Sequence, residues 1–197
     1  LSNLLGGLVE KFAARGYSLY LVGGSVRDAL LGRLGNDLDF TTPARPEVVK
    51  EILDEWAETV WDTGIDFGTV SAAYKGQQIE ITTFRSDSYD GQSRNPEVVY
   101  GDTLEGDLVR RDFKANAMAI ELLADASFKF HDPLHGLQDI ADRVLDTPDK
   151  PEISFHDDPL RMLRAARFAS QLEFRVADRV VEAMRDMAGE IQRITVE

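Results

Sequence analysis

The sequence predicts an α+β protein: a mixed, mainly antiparallel sheet flanked by helices over residues 1–140, then an all-helical portion over 141–197. Three observations carry this. Short β-prone runs such as YSLYLV (17–22) and QIEITTF (78–84) crowd the first part of the chain. A helix-patterned segment, RPEVVKEILDEWAE (45–58), sits between two of them. From about Leu137 only helical patterns remain, and strands early with helices late make the α+β class.

Taken in order, Leu4, Leu5, Leu8 and Phe12 fall at helical spacing within 2–15, and Gly16 closes that helix. YSLYLV is a buried strand. SVRDALLG (25–32) is a short helix opened by Ser25 and closed by Gly32. NDLDFTT (36–42) is a second strand. The helix over 45–58 carries Pro46 near its start, where a missing N–H costs nothing. TVWDT (59–63) is a third strand, and 67–85 holds two more about the turn KGQQ. Residues 86–106 are polar and rich in Gly and Asp, a long loop of the kind that is usually either functional or disordered. RRDFKANAMAIELL (110–123) starts as a helical turn and becomes a strand, and ADAS turns it back into FKFHD (128–132). Beyond lie the helices LQDIADRVL, DDPLRMLRAARFASQL and ADRVVEAMRDMAGEI, with no strand expected among them.

Composition excludes several classes. There is no repeat, no low-complexity tract, no signal-peptide pattern and no apolar run long enough to span a membrane. The absence of cysteine rules out disulfides and thiolate metal sites and fits a reducing, cytoplasmic setting. Only His131, His135 and His156 are available, too few for a His-rich metal site. Lys plus Arg is 22 against 35 Asp plus Glu, a net charge of −13 that argues against gripping a long nucleic acid by its phosphates. The chain starts at Leu1 and stops at RITVE, and a piece of a longer protein is expected.

The stretch LVGGSVRDALLGRLGNDLDFTT (21–42) concentrates the chemistry. In a strand, residues i and i+2 share a face, so Asp37 and Asp39 project together while Leu38 and Phe40 turn to the core. Two close carboxylates repel unless a cation lies between them. Mg²⁺ suits such a pair, because it takes few carboxylates and completes its shell with water and substrate phosphates. Two solvated acids at a strand end are the other possibility. Gly23 and Gly24 follow an apolar strand and open a helix, where glycines admit a phosphate and the helix start offers free N–H groups. A plain tight turn is the alternative for the glycines alone. Arg27 reaches the same phosphates, or pairs with Asp28 or Asp39. Glu80, between Ile79 and Ile81, faces away from the core. It is either a third carboxylate that assists an attacking hydroxyl or a second metal, or an ordinary exposed glutamate.

Arginines form the second concentration. Arg110 and Arg111 precede Asp112, an expected N-cap, and phosphate is one candidate partner for them. Asp158 before Pro159 is an expected N-cap with proline at the first helical position. Arg161, Arg164 and Arg167 follow at i, i+3 and i+6, one stripe on a helix that is otherwise apolar and expected to be buried on most sides. The stripe faces either carboxylates or an anionic ligand, and the planar arginine fork also reads a base edge.

These residues resemble a known family. LVGGSVRDALLG…NDLDF looks like the nucleotidyltransferase signature of the DNA polymerase beta superfamily, and RRDFKANAMA with DDPLRMLRAARF narrows the resemblance to class II tRNA CCA-adding enzymes and related bacterial poly(A) polymerases. It runs from about residue 18 to 175. The resemblance implies a nucleotidyltransferase head followed by a helical neck. It implies catalytic Mg²⁺ held by Asp37 and Asp39, with Glu80 as a further carboxylate. Gly23, Gly24, Arg27 and Arg111 would contact nucleotide phosphates or sugar. Asp158 and Arg161 would hydrogen-bond the Watson–Crick edge of incoming cytosine or adenine, with Arg164 and Arg167 supporting that pocket or binding phosphate. The substrates implied are CTP, ATP and a tRNA 3′ end, the tRNA held mostly by domains past Glu197. Poly(A) synthesis, CC-only or A-only addition, and a nucleotide-binding module without full activity are the competing functions. The loop RSDSYDGQSRNP favours an enzyme able to add C. Lys114, Asp157 and Asn95 depart from the family pattern, which usually has Thr, Glu and Arg there, and none of them touches the Asp37/Asp39 pair.

Overall fold

A computed structural model describes residues 5–86 and 98–193. The chain divides into two compact units, one of Leu1–Leu108 with Ala119–His131, the other of Val109–Met118 with Asp132–Glu197. In the first unit, α1 (Leu8–Ala14), α2 (Gly24–Leu30) and α3 (Pro46–Trp56) accompany seven strands. These are β1 (Leu19–Val22), β2 (Asp37–Thr42), β3 (Thr59–Trp61), β4 (Thr69–Tyr74), β5 (Gln77–Thr83), β6 (Ala119–Leu122) and β7 (Phe128–His131). They form one sheet in the order β3-β4-β5-β2-β1-β6-β7. Every neighbouring pair is antiparallel except β2 and β5, which run parallel. This is the mixed, mainly antiparallel sheet expected.

Alternation builds one face of that sheet. Leu38, Phe40, Ile79, Ile81, Val70 and Ala72 are all buried, whereas Asp37, Asp39 and Glu80 are exposed. Helix α3 brings buried Val49, Ile52 and Leu53 and packs against β4 and β5. The β4–β5 hairpin closes on Lys75 and Gly76, both at positive φ (47° and 80°), with Tyr74 paired to Gln77. That is the two-residue turn whose twist matches the strands, so the expected turn KGQQ is shorter and its glutamines belong to β5.

Two other boundaries differ from expectation. Helix α1 begins at Leu8 rather than near residue 2, because Gly7 takes a left-handed conformation (φ 85°) just before it; residues 1–4, and Leu4 with them, lie outside the described residues. The expected loop over 86–106 includes the start of α4 (Leu104–Val109), where Thr103 Oγ1 accepts the Gly106 N–H at 3.2 Å and Leu104 and Leu108 are buried. The loop segment that favours C addition, and Asn95, fall mostly outside the described residues.

The second unit is helical: α5 (Gly136–Asp142), α6 (Pro151–Asp157), α7 (Leu160–Leu172) and α8 (Asp178–Met187), the last followed by a 3₁₀ stretch to Arg193. One correction is needed. Val144–Leu145 and Arg175–Val176 form a short parallel strand pair, β8 and β9. Arg143 (φ 52°) and Glu173 (φ 57°) end α5 and α7 in left-handed conformations and release the chain into that pairing. The segment after RRD joins this unit through its apolar residues. Phe113 and Ala115 are fully buried with Leu145, Ala165, Phe168 and Phe174, and the Phe113 ring meets Phe168 edge-on at 6.2 Å. Gly136 passes so close that a Cβ there would lie 2.1 Å from the Lys114 carbonyl oxygen.

A charge cluster ties the same segment down. Lys114 Nζ lies 3.4 Å from Asp139 and 3.2 Å from Asp146, and Arg179 holds Asp146 at 2.7 Å. Burial, only partly offset by Lys114, pushes the Asp139 carboxyl up. Burial also works to raise Asp146, but Arg179 and Lys114 together hold it below the usual carboxylate range. The two act oppositely on stability. Asp146 binds its proton less readily folded than unfolded, so its stabilisation is present above the ordinary carboxylate pKa and is lost as pH falls through the folded value. Asp139 binds its proton more readily folded, so its contribution declines as pH rises through its folded value. Asp146→Asn should flatten the acid side of the unfolding-stability curve measured between about pH 3 and about pH 7, and Asp139→Asn should remove the decline on the other side.

Candidate active site

In the first unit the turn into α2 is set by Gly23, whose φ of 66° and ψ of −141° suit only glycine. Its carbonyl accepts the Val26 and Arg27 N–H groups at 3.2 and 3.3 Å. Gly23, not Ser25, therefore holds the cap position. Ser25 is buried instead, and its Oγ accepts the backbone N–H of Asp39 at 3.0 Å. One hydroxyl thus fastens the start of α2 to the strand that carries the acid pair. Gly23→Ala should cost about 1–3 kcal/mol of stability from backbone strain, and a urea titration of the variant checks it.

Arg27 is also buried. Its Nε donates to Asp28 at 3.0 Å, and a Cβ at Gly24 would sit 3.2 Å from its Nη2. The missing side chain at Gly24 leaves room for that guanidinium beside the turn.

Asp37 and Asp39 are exposed on one face of β2, as the alternation requires. Register extends the face sideways. Asp37 is opposite Gln78, and Asp39 opposite Glu80, on β5. Glu80 is opposite Ser71 on β4, and Ser71 opposite Trp61 on β3. The Ser71 hydroxyl donates to Glu80 at a long 3.5 Å. These residues line an open cleft of about 380 Å³. Among the described residues no three His, Asp or Glu side chains converge as a ready metal cage. Two exposed, hard carboxylate donors in an open cleft fit Mg²⁺, which keeps waters and takes phosphate oxygens for the rest of its shell.

In the second unit, the Asp158 carboxylate accepts the Leu160 N–H at 3.0 Å, and Pro159 is already helical. Two arginines of the stripe are fixed by the segment 110–112. Arg161 donates to the Arg110 carbonyl at 2.7 Å and to Ser154 Oγ at 3.0 Å. Arg164 grips Asp112 Oδ2 through Nε at 2.8 Å and Nη2 at 2.6 Å. Asp112 Oδ1 takes the Phe113 N–H and the Asn116 amide at 2.8 and 3.1 Å. Asp112 is thus an anchor for α7 rather than a helix N-cap, and Phe113 holds the cap position of the 3₁₀ turn that follows. Arg164 and Arg167 both lie over the Phe168 ring, at 5.0 and 5.1 Å. Arg111 is half-buried in the same segment. Helix α7 is not buried on most sides, since Leu160 and Leu163 are 43% and 50% exposed. The roles of Ser25 and Asp112 depend on contacts 14 and 52 residues away in the chain, which no local pattern announces.

Residues 19–146 match the Poly A polymerase head domain family. The chain is 42% identical over 183 residues to a CCA-adding enzyme of Lactobacillus helveticus, covering 92% of this chain and 44% of that protein. It is 40% identical over 191 residues to a CCA-adding enzyme of Listeria monocytogenes, covering 96% and 47%. Among solved structures it resembles the Bacillus stearothermophilus CCA-adding enzyme in complex with CTP, with a TM-score of 0.83 and 36% identity over 98% of this chain and 45% of that one. It also resembles a tRNA nucleotidyltransferase complexed with a primer tRNA and an incoming ATP analog, with a TM-score of 0.77 and 30% identity over 92% and 50%. The chain spans about half the length of the curated relatives it matches.

Proposed function

The chain belongs to the Poly A polymerase head domain family, and on that premise we propose that it is the nucleotide-handling part of an RNA nucleotidyltransferase that adds C and A to tRNA 3′ ends from CTP and ATP. The carrying observation is the face on which Asp37 and Asp39 stand exposed beside the Gly23 turn, with Glu80 in register next to Asp39. The likeness to CCA-adding enzymes supports the choice of substrates.

In this mechanism Asp37 and Asp39 would hold Mg²⁺, and the ion, when bound, would supply charge neutralisation at the phosphates and Lewis acidity toward the attacking hydroxyl. The glycine turn brings backbone N–H groups to the triphosphate, with Arg27 set close by. The tRNA 3′ oxygen attacks the α-phosphorus, the bond to the β-phosphate bridging oxygen breaks, and pyrophosphate leaves. Glu80 accepts a hydrogen bond from the attacking hydroxyl, whose proton passes to water as the new oxygen–phosphorus bond forms. The chemistry rests on positioning and charge, without a covalent enzyme intermediate. Asp158 and Arg161 read the Watson–Crick edge of the incoming base, Arg164 keeps α7 in place through Asp112, and Arg111 and Arg167 contact phosphate. No helix among the described residues is long and apolar enough to cross a membrane, and we place the enzyme with its tRNA substrate in the cytoplasm.

The test is incorporation of labelled CMP and AMP by the full-length protein into a tRNA lacking its CCA end. Sequential addition of both supports the proposal. AMP addition alone, without CMP, would instead assign poly(A) or A-only synthesis, and nucleotide binding without transfer would leave a binding module. Arg161→Ala should lower the preference for CTP and ATP over UTP and GTP by about tenfold, the loss of one bidentate base contact, as read from competing incorporation rates.

A further inference from the structure

Trp61 is a large aromatic side chain left partly open to solvent. It is 40% exposed, it closes the short edge strand β3, and it lines the cleft that holds Asp37, Asp39 and Glu80. The other tryptophan shows what a packed one does here. Trp56 stacks on Tyr74 at 4.2 Å, and its indole N–H donates to the Gly6 carbonyl at 2.8 Å. The register row Asp39–Glu80–Ser71–Trp61 crosses four adjacent strands, and residues paired in this way share one face of the sheet. With adjacent strands about 4.8 Å apart, Trp61 stands roughly 14 Å from Asp39 along that face.

We propose that Trp61 is a stacking platform for a nucleobase of the single-stranded RNA 3′ end whose terminal hydroxyl reacts at the Asp37/Asp39 pair. The inference rests on the nucleotidyl-transfer reading above and adds to it the residue that holds the acceptor strand. Stacking accepts any base, because every base has a π face. That suits an acceptor strand and not the incoming nucleotide, whose identity must be chosen by hydrogen bonds to its edge. Charge points the same way. A chain of net charge −13 gains little from phosphate contacts, and an aromatic face attracts a base without a positive charge.

The test uses the 197-residue chain, a six-nucleotide RNA with cytidine at its 3′ end, and CTP with Mg²⁺, each titrated separately. Tryptophan fluorescence of the wild type should be quenched by the RNA. Trp61→Leu should abolish most of that quenching and weaken RNA binding, read by fluorescence anisotropy of end-labelled RNA, at least about fivefold, the lower end of what one base stack contributes. Trp61→Phe should restore most of the affinity, and CTP binding should be the same in all three proteins. Wild-type CTP binding with no RNA binding, or with RNA binding that Trp61→Leu leaves unchanged, overturns the stacking role while the function stands. Binding of neither CTP nor RNA by the wild type overturns both.

Discussion

Replacing Asp39 by asparagine should slow nucleotide transfer by the full-length enzyme about a thousandfold or more, the equivalent of about 4 kcal/mol of transition-state stabilisation. Stability should change by less than about 0.5 kcal/mol, as at other exposed positions. The two expectations separate because the side chain is exposed while the backbone is tied in. The Asp39 N–H bond to Ser25 Oγ survives the substitution, as do β2 pairing with β1 and β5. Only one negative oxygen is lost, and that is the group required to hold a divalent cation against a triphosphate. Asp37→Asn should behave alike. Wild-type turnover in either variant would remove the metal assignment, and global unfolding of either would show that the acids serve the fold.

The largest expected effect on stability lies in the second unit. Asp112→Ala should lower unfolding free energy by about 3 kcal/mol, chiefly from buried donors left without an acceptor. Asp112 is 7% exposed and accepts four hydrogen bonds, from Phe113 N–H, Asn116 Nδ2, Arg164 Nε and Arg164 Nη2. Arg164 is partly exposed and rehydrates, so its share is modest. The buried Phe113 amide cannot rehydrate without opening the cluster around Leu145 and Phe168. Asp112→Asn keeps an acceptor and should lose about half as much. Urea unfolding followed by circular dichroism reads both, and a change under about 0.5 kcal/mol in Asp112→Ala would show that α7 does not depend on this anchor.

What was legible in the sequence follows from where the information sits. The acid face was legible because strand alternation is local: Leu38 and Phe40 buried between exposed Asp37 and Asp39 follow from a period of two. The parallel pairing that sets Glu80 beside Asp39 is not local, and no spacing encodes it. The helix starting at Leu104 was masked by its polar surroundings, although Thr103 is a cap signal in plain view. Strands of two residues, as at Val144 and Arg175, carry no periodicity at all. The arginine stripe on α7 is visible in the sequence, but the carboxylate that Arg164 meets, Asp112, lies 52 residues earlier and no local pattern announces it. Trp61 carries no local signal, because its place in the cleft comes from a row of four strands.

The most direct measurement is an equilibrium titration of CTP into this chain with and without Mg²⁺, for the wild type and for the double variant Asp37→Asn/Asp39→Asn. The account predicts Mg²⁺-dependent binding in the wild type that weakens at least about tenfold, or about 1.4 kcal/mol, when the two carboxylates lose their charge. Equal CTP affinity in both proteins, or wild-type binding indifferent to Mg²⁺, would contradict it.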